Sequence, residues 1–462
     1  MTALWWLVLT GTLLLATSFL SGWINRGPVT TFAIYLVVGI VIGPAILALA
    51  KLPSTADHIH WLHWATEAAL VVSLFVTGLK LRLPFSDSGW RMAVRLALPA
   101  MALTASGVVA VAYLGLGWPF AAALALAAVV SPTDPVLASL VSVDDARDDD
   151  ALRVALSGEA GLNDGTALPL LFLALALMDQ DAGTANVLTH WLTVDVLWGL
   201  AGGLLIGFVG GWGLGYVGTH LRHASRDVAP SDFLALGIMV VVYAVSHLVE
   251  ASGFLAAFAA GVGLRRVELQ VSSRSKESVE KGEAPFDEPA ETRITPNERA
   301  QASVVHPKET VGWVVSDALS FGETIERLIA VALVLAVGIA VVPAVNWHGL
   351  MLAVVLLLVI RPLSVWLATI RSRAPWQRRL LIGWFGIRGL GSLNYMAFAI
   401  GHGFSGVPGQ VFEGVVLTVV AVSVVTHGIS VTPLMQWRAR AMKAAEGKAF
   451  RAPEQADRHP SE

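Results

Sequence analysis

The segment AAALALAAVVSPTDPVLASLV, residues 121–141, places two prolines and an aspartate inside an otherwise apolar run. Pro132 and Pro135 lack backbone N–H donors and clash with the preceding turn, so a helix must break between them. If the helix enters the bilayer near Trp118, Asp134 lies about 24 Å along it, inside a hydrocarbon core of about 30 Å. Irregular backbone at this depth is tolerated only where it faces protein or a water-filled cavity. A capping role for Asp134 at the second half-helix is compatible with this interpretation.

The composition of the whole chain places it in a membrane. Of its 462 residues, 55% are hydrophobic and 14% are charged, whereas soluble domains carry about 25% charged residues. Repeated apolar runs of about 20 residues are long enough to cross a bilayer as helices. We therefore predict an all-α polytopic membrane protein in contact with the lipid bilayer and not a soluble enzyme. The net charge of −3 gives no support to a nucleic-acid partner, and the absence of cysteine excludes disulfides and thiolate metal sites.

Thirteen apolar segments are predicted to span the membrane. An odd number places the termini on opposite sides. If the C-terminus is cytoplasmic and the N-terminus outside, the inner loops, the tail and the adjoining inner ends of the spans hold 28 of the 31 Lys and Arg residues. We expect a multi-pass protein of the bacterial inner membrane whose first span is retained. The predicted spans lie at about 3–24, 29–50, 61–79, 92–114, 118–142, 151–178, 189–217, 231–249, 253–266, 320–344, 347–370, 378–402 and 410–437.

The polar stretches divide the chain into four parts. Residues 1–266 hold spans one to nine, and residues 313–437 hold spans ten to thirteen. Residues 267–312 are rich in charge and proline without an apolar period, which predicts a flexible cytoplasmic loop. The remaining residues, 438–462, form a basic cytoplasmic tail that begins as a helix and anchors at anionic headgroups.

A second polar motif, SGEAGLNDG at residues 157–165, lies in span six. Glu159 and Asn163 are four residues apart and share a helix face, with Asp164 turned by about 100°. Two carboxylates this close in apolar surroundings cannot both stay ionised without cations. A site that binds a proton or a metal cation is therefore predicted, and a purely structural carboxylate cluster is the alternative. Arg361 in span eleven needs a carboxylate partner, for which we predict Glu159, leaving Asp164 as the exchangeable carboxylate.

The motif GIRGLGSLN, residues 386–394, predicts a second interruption in span twelve. Its glycines weaken the helix around Arg388 and Gly389, although a packing motif for close helix approach would look similar. Spans five and twelve are seven crossings apart, which predicts inverted repeats of spans one to six and eight to thirteen. Paired interrupted helices in two halves are typical of a transporter binding site.

Taken together, SPTDP, GEAGLNDG, an intramembrane arginine and GIRGLGSLN resemble the NhaP-type sodium/proton antiporters of the monovalent cation–proton antiporter superfamily. The resemblance covers about 1–266 and 312–437. It implies the sodium/proton antiporter fold, with two interrupted crossing helices, and a homodimer in which a core domain moves against a dimerisation domain.

The resemblance also implies roles for individual residues. Asp164 carries the exchanged ion, while Asp134 and Thr133 help to ligate the sodium ion. Asn163, where electrogenic relatives have aspartate, is typical of electroneutral one-for-one exchange. The pair Glu159 and Arg361 is structural, and Pro132, Pro135, Arg388 and Gly389 form the helix breaks that support the site. One departure is Ala160, where many members have a serine near the ion.

We therefore expect secondary antiport of protons against sodium, in which protonation of Asp164 releases the cation, with no cofactor beyond the transported ions. A potassium- or lithium-preferring antiporter is the alternative within the same class. An intramembrane aspartyl protease could also use two aspartates, but the sequence has no Gly-X-Gly-Asp element. A cation channel is a third alternative, and it would conduct without a proton gradient.

Overall fold

A computed structural model gives the fold of the chain. The structure describes residues 29–50, 55–138, 141–143, 150–179, 184–225, 231–274 and 307–456, with 8, 11–15, 19, 27 and 148.

The described residues form helices and contain no strand, which confirms the predicted all-α fold. We number the helices in chain order. They are α1 (Thr31–Ile42), α2 (Thr55–Lys80), α3 (Ser88–Gly115), α4 (Phe120–Val130), α5 (Ala151–Met178), α6 (184–225), α7 (Ser231–Leu248), α8 (Gly253–Arg274), α9 (Pro307–Ala344), α10 (Trp347–Ala368), α11 (Trp376–Trp384), α12 (Leu390–Gly401) and α13 (Gly409–Ala456).

Seven of the described helices are long and apolar enough to cross a membrane, and α1, α4 and α7 contain shorter apolar helices. The predicted span at 151–178 coincides with α5. Span five consists of α4 followed by turns. Span twelve consists of α11 and α12, which are separated by a short non-helical segment. Both interruptions therefore lie at the motifs where the sequence predicts them. Most of the predicted first span, 3–24, lies outside the described residues.

The boundaries of the predicted cytoplasmic loop need correction. Helix α8 continues to Arg274 and α9 already begins at Pro307, so 267–274 and 307–312 are helical. The charges at the start of this stretch are paired, because Glu268 is buried with its carboxylate 3.6 Å from both Arg82 and Arg265. The middle of the predicted loop, 275–306, lies outside the described residues.

The helices pack in two groups. Helices α1, α2, α6, α7, α8 and α9 pack mainly on one another, and α3, α4, α5, α10, α11, α12 and α13 form the second group. Helix α12 of the second group packs along α2 of the first. Glycines allow close approach within the first group, since a Cβ on Gly39 of α1 would lie 2.9 Å from the Cα of Gly338 in α9.

Candidate ion-binding site

The two helix breaks cross and bond to each other. The backbone N–H of Asp134 donates to the carbonyl of Ile387 at 2.8 Å. Pro132 and Pro135 lie in the first break, and Gly389 directly precedes the first residue of α12. The unwound backbone of each break is therefore buried against the other, as irregular structure at membrane depth requires.

Asp134 is shared between the two interrupted spans. Its Oδ1 accepts the backbone N–H of Leu137 at 2.9 Å, which is the local capping that the sequence also allows. Its Oδ2 accepts the N–H groups of Leu390 and of Gly391, the latter at 3.3 Å. Asp134 thus places its carboxylate at the start of α12, where the helix dipole favours negative charge. Gly389 keeps this approach open, because a Cβ there would lie 2.7 Å from Asp134 Oδ2.

Arg388 supplies hydrogen bonds to the carbonyl groups that the breaks leave without partners. The residue is fully buried, and its guanidinium donates to the carbonyl of Val130 at 3.0 Å and of Ser131 at 3.2 Å. It also donates to the carbonyl of Gly386. Within the described residues, no carboxylate lies within 4 Å of this guanidinium. Its charge therefore faces the negative carbonyl ends of α4 and α11.

Glu159 and Arg361 form a buried ion pair. The guanidinium contacts the carboxylate through two nitrogens, at 2.6 Å for Nη1 and 2.8 Å for Nη2. Both side chains are at most 2% exposed. Two-point contact of this kind is the strong geometry for arginine and carboxylate. The structure thus brings together the two residues that the sequence predicts as partners, and Arg361 is not available to Asp164.

Asp164 is buried and has no donor for either carboxylate oxygen among the described residues. Its backbone carbonyl accepts the hydroxyl of Tyr395 at 2.6 Å, which fixes the turn of α5 but leaves the carboxylate free. Gly391 lies beside both carboxylates, because its N–H donates to Asp134 Oδ2 at 3.3 Å and a Cβ on it would lie 3.0 Å from Asp164 Oδ1. An isolated ionised carboxylate is very costly to bury. The group must therefore hold either a proton or a cation.

Further oxygens without partners lie in the same motifs. The amide nitrogen of Asn163 donates to Thr133 Oγ1 at 2.8 Å, which links α5 to the first break. The amide oxygen of Asn163 accepts no hydrogen bond from the described residues, and neither do the buried hydroxyls of Ser131 and Ser392. Carboxylate, amide and hydroxyl oxygens form a hard donor set, which suits small metal cations. Nitrogen or sulfur ligands are not part of it.

Sequence reasoning did not identify three of the residues described above. Ser131 and Ser392 lie within the two predicted break motifs, so their proximity to the breaks could have been noticed. Tyr395 gives no such signal, because an aromatic residue in an apolar span is ordinary. Its hydrogen bond to Asp164 depends on how α12 packs against α5.

Crossed helix interruptions around a charged, buried centre are the architecture of a secondary membrane transporter. The family model described as "Sodium/hydrogen exchanger, transmembrane" matches residues 12–282 and 307–437, and the chain belongs to this family. The resemblance to NhaP-type antiporters is thereby confirmed.

Relatives are similar over parts of the chain. The uncharacterized Na(+)/H(+) exchanger YjcE of Escherichia coli K12 is 32% identical over 238 residues, 48% of this chain and 40% of that protein. The Na(+)/H(+) antiporter of Schizosaccharomyces pombe is 25% identical, over 49% of each chain. The K(+)/H(+) antiporter NhaP2 of Shewanella sp. ANA-3 is 25% identical over 92% of this chain and 65% of that protein. The chain thus spans about half the length, or less, of the first two relatives.

A solved structure shows the same fold. The sodium proton antiporter MjNhaP1 from Methanocaldococcus jannaschii, at pH 8, superposes with a TM-score of 0.67 at 15% sequence identity. The match covers 93% of this chain and 97% of that structure. At this identity the similarity concerns the fold, which agrees with the antiporter fold implied by the sequence motifs.

Proposed function

We propose that the protein is a secondary antiporter that exchanges protons for sodium, or another small monovalent cation, at Asp164. The observation that carries this proposal is the buried carboxylate of Asp164, whose two oxygens have no donor among the described residues. One carboxylate cannot hold a proton and a cation together, so the two ligands compete. Without a bound proton or cation, Asp164 is a bare anion. The free energy of moving this charge through the bundle prevents the empty protein from changing between its two conformations. Competition combined with alternating access couples the two fluxes.

The proposed ligands of the transported cation are Asp164, Thr133 and Asp134. Thr133 is held in place by Asn163, and the amide oxygen of Asn163 supplies a further acceptor. Both Asp134 oxygens are used by backbone N–H groups in the structure, so Asp134 reaches the cation only through lone pairs that these bonds leave. The main role of Asp134 in this proposal is to join the two helix breaks, and its contact with the cation is secondary. No cofactor is proposed, since the transported ions are the substrates.

Exchange is proposed to be electroneutral. Next to Asp164, Asn163 is neutral, and the charge of Glu159 is taken up by Arg361. Asp134 is held by backbone N–H groups, so Asp164 is the one exchangeable carboxylate of this site, and it binds one proton or one monovalent cation. The protein would act as a homodimer in the bacterial inner membrane, with its N-terminus outside and its C-terminus in the cytoplasm. The support for this orientation is the predicted accumulation of Lys and Arg on the inner side.

Potassium is the second candidate for the cation. Two relatives that each match 92% of the chain are named K(+)/H(+) antiporters. Ala160 lies one residue after Glu159 and contributes no oxygen to the site. The donor set contains hard oxygens that suit either ion, so the geometry alone supports both.

The test is dequenching of a pH-sensitive dye in proteoliposomes, with sodium, lithium and potassium added separately. The unsubstituted protein should dissipate a proton gradient with at least one of these cations and generate no net current. Asp164→Asn should abolish the signal. The matched control is Asp195→Asn, which neutralises a half-buried carboxylate on α6 and should leave exchange intact. Retained exchange in Asp164→Asn would refute the proposal, and a current without a proton gradient would indicate a channel.

A further inference from the structure

Glu326 of α9 is a carboxylate within a membrane span that the site around Asp164 does not include. It belongs to the span Val314–Ala344 and is half-buried. Ser73 of α2, which is fully buried, donates a hydrogen bond to Glu326 Oε1 at 3.2 Å. Among the described residues, no Lys, Arg or His lies within 4 Å of this carboxylate. A charge inside a span that lacks a basic partner requires an explanation.

The neighbouring glutamate on the same helix shows what a structural carboxylate looks like here. Glu323 lies one turn before Glu326, and its Oε1 contacts Lys80 Nζ at 2.7 Å. Its Oε2 contacts Arg327 Nη2 at 3.7 Å. The two nearby cations are therefore already paired with Glu323. The direct hydrogen-bond partner of Glu326 among the described residues is the neutral hydroxyl of Ser73, which orients the carboxylate.

By depth, Glu326 lies between one end of the bundle and Asp164. Ser73 is seven residues, about 10 Å, from Lys80 at the end of α2, and Asp164 is 13 residues, about 20 Å, from Ala151 at the start of α5. These two helix ends lie on the same side, because α3 starts directly after α2 and a Cβ on Gly89 would lie 2.6 Å from the Val154 side chain of α5. The Ser73–Glu326 pair is thus about halfway to Asp164.

The carboxylates of Glu326, Asp134 and Asp164 come from both helix groups. Glu326 is contributed by α9 of the first helix group, whereas Asp134 and Asp164 belong to the second. A cation between the two groups would therefore meet negative charge on both sides. In a low-dielectric region such a field is weakly screened and concentrates cations.

We propose that Glu326, oriented by Ser73, is a second cation-binding carboxylate, which takes the transported monovalent cation between the Lys80 end of the bundle and Asp164. This inference rests on the proposed function and adds a binding step on one side of the membrane. Glu326 increases the fraction of time that a cation is bound between the Lys80 end of the bundle and Asp164. Asp164 remains the group at which cation and proton compete.

The experiment measures the cation KM and the maximal rate of exchange in everted and in right-side-out membrane vesicles. Glu326→Gln should raise the cation KM about three- to tenfold when the cation is added at the Lys80 face, which is the effect of one partly screened charge. The KM from the opposite face and the maximal rate should stay within twofold. Glu326→Asp should restore most of the affinity. The control Asp195→Asn, which neutralises a half-buried carboxylate on α6, should leave the KM from both faces unchanged.

Three results would overturn the inference while leaving the proposed function intact: an unchanged KM in Glu326→Gln, an equal rise from both faces, or a lower maximal rate without a change in KM. The last of these would show that Glu326 serves the fold or the conformational change. Absence of exchange in the unsubstituted protein would refute the proposed function and this inference with it.

Discussion

The side-chain amide of Asn394 on α12 donates a hydrogen bond to Thr66 Oγ1 on α2 at 3.0 Å. The same nitrogen lies 3.3 Å from the carbonyl of His63. The next residue, Tyr395, donates its hydroxyl to the backbone carbonyl of Asp164 at 2.6 Å. Adjacent residues of one helix thus connect the candidate ion site with the other helix group. Thr66 is 14 residues, about 21 Å, from Lys80, so this contact closes the two helix groups on each other at about the depth of Asp164.

Thr66→Val is expected to weaken this closure. The substitution removes the acceptor for Asn394 at nearly constant volume, which costs about 1 kcal/mol and shifts the ratio of two conformers about fivefold. Because the ratio of the two conformers changes, the cation KM should shift in opposite directions at the two faces, measured in vesicles of both orientations. Thr104→Val is the control, because Thr104 is also buried and bonds only within its own helix, to Ala100. Equal KM changes in both variants would contradict a closing contact.

The ion pair of Glu159 and Arg361 is expected to hold the second helix group together. Glu159→Gln leaves Arg361 buried without a counter-charge, which destabilises a protein by about 3–5 kcal/mol. The midpoint of thermal unfolding in detergent should fall clearly. The control is Arg153→Gln, which breaks a 2.8 Å pair with Asp148. Arg153 is 29% exposed, so its loss should change stability by about 1 kcal/mol or less. Similar midpoints for the two variants would contradict the structural role.

Stability is expected to depend on pH through Asp150, which precedes α5 outside the membrane span. Its carboxylate accepts the N–H of Leu152 at 2.8 Å and two hydrogen bonds from Arg438 on α13. Burial acts to raise the pKa of Asp150, but the bonds from Arg438 and Leu152 outweigh it, so the pKa lies below its ordinary value of 3.8. A lowered pKa stabilises the fold above pH 3.8, and this stabilisation disappears as the pH falls through the folded-state value.

Arg438→Gln should therefore lower stability at pH 7 by about 1 kcal/mol. The difference from the unsubstituted protein should persist down to about pH 4 and then shrink as Asp150 becomes protonated. Thermal unfolding in detergent from pH 7 to pH 3 measures this. As a control, Arg440→Gln removes a charge from the same helix without an ion pair among the described residues. A stability difference for Arg438→Gln that is independent of pH would show that Asp150 is not the partner that matters.

The parts of the site that could be predicted are those where polar residues interrupt apolar sequence. A charge or a pair of prolines within a span costs free energy, so Pro132, Asp134 and Arg361 can be identified from the local sequence alone. The pairing of Arg361 with Glu159 follows because few buried carboxylates are available. Arg388 is different, since its sequence position indicates a break but not that its guanidinium bonds to carbonyl groups of both interrupted spans.

What sequence reasoning could not supply depends on packing between distant helices. The charge of Glu268 is typical of a solvated loop, but the side chain is buried beside Arg82 and Arg265, so α8 runs further than the hydropathy indicates. Glu326 lies among charged residues near the start of its span, where hydration would explain it. Its distinction from Glu323 emerges only when Lys80 of another helix is seen to pair with one of the two.

Gly391 is expected to influence which cation the site accepts. A Cβ on this residue would lie 3.0 Å from Asp164 Oδ1 and 3.8 Å from the Tyr395 ring, so Gly391→Ala inserts a methyl group beside the Asp164 carboxylate. Overpacking of this kind costs about 1 kcal/mol or more. The cost should be greater when a larger cation occupies the site.

We therefore expect Gly391→Ala to raise the KM for potassium about tenfold and the KM for lithium much less, measured by dye dequenching in proteoliposomes. Gly401→Ala is the matched control. It lies on the same helix with no atom within 4 Å of its Cβ position, and alanine is the better helix former. Gly401→Ala should leave the affinities for sodium, lithium and potassium unchanged. Because the methyl group acts through space beside Asp164, an equal rise for lithium and potassium would indicate a distorted helix break instead of a narrowed cation site.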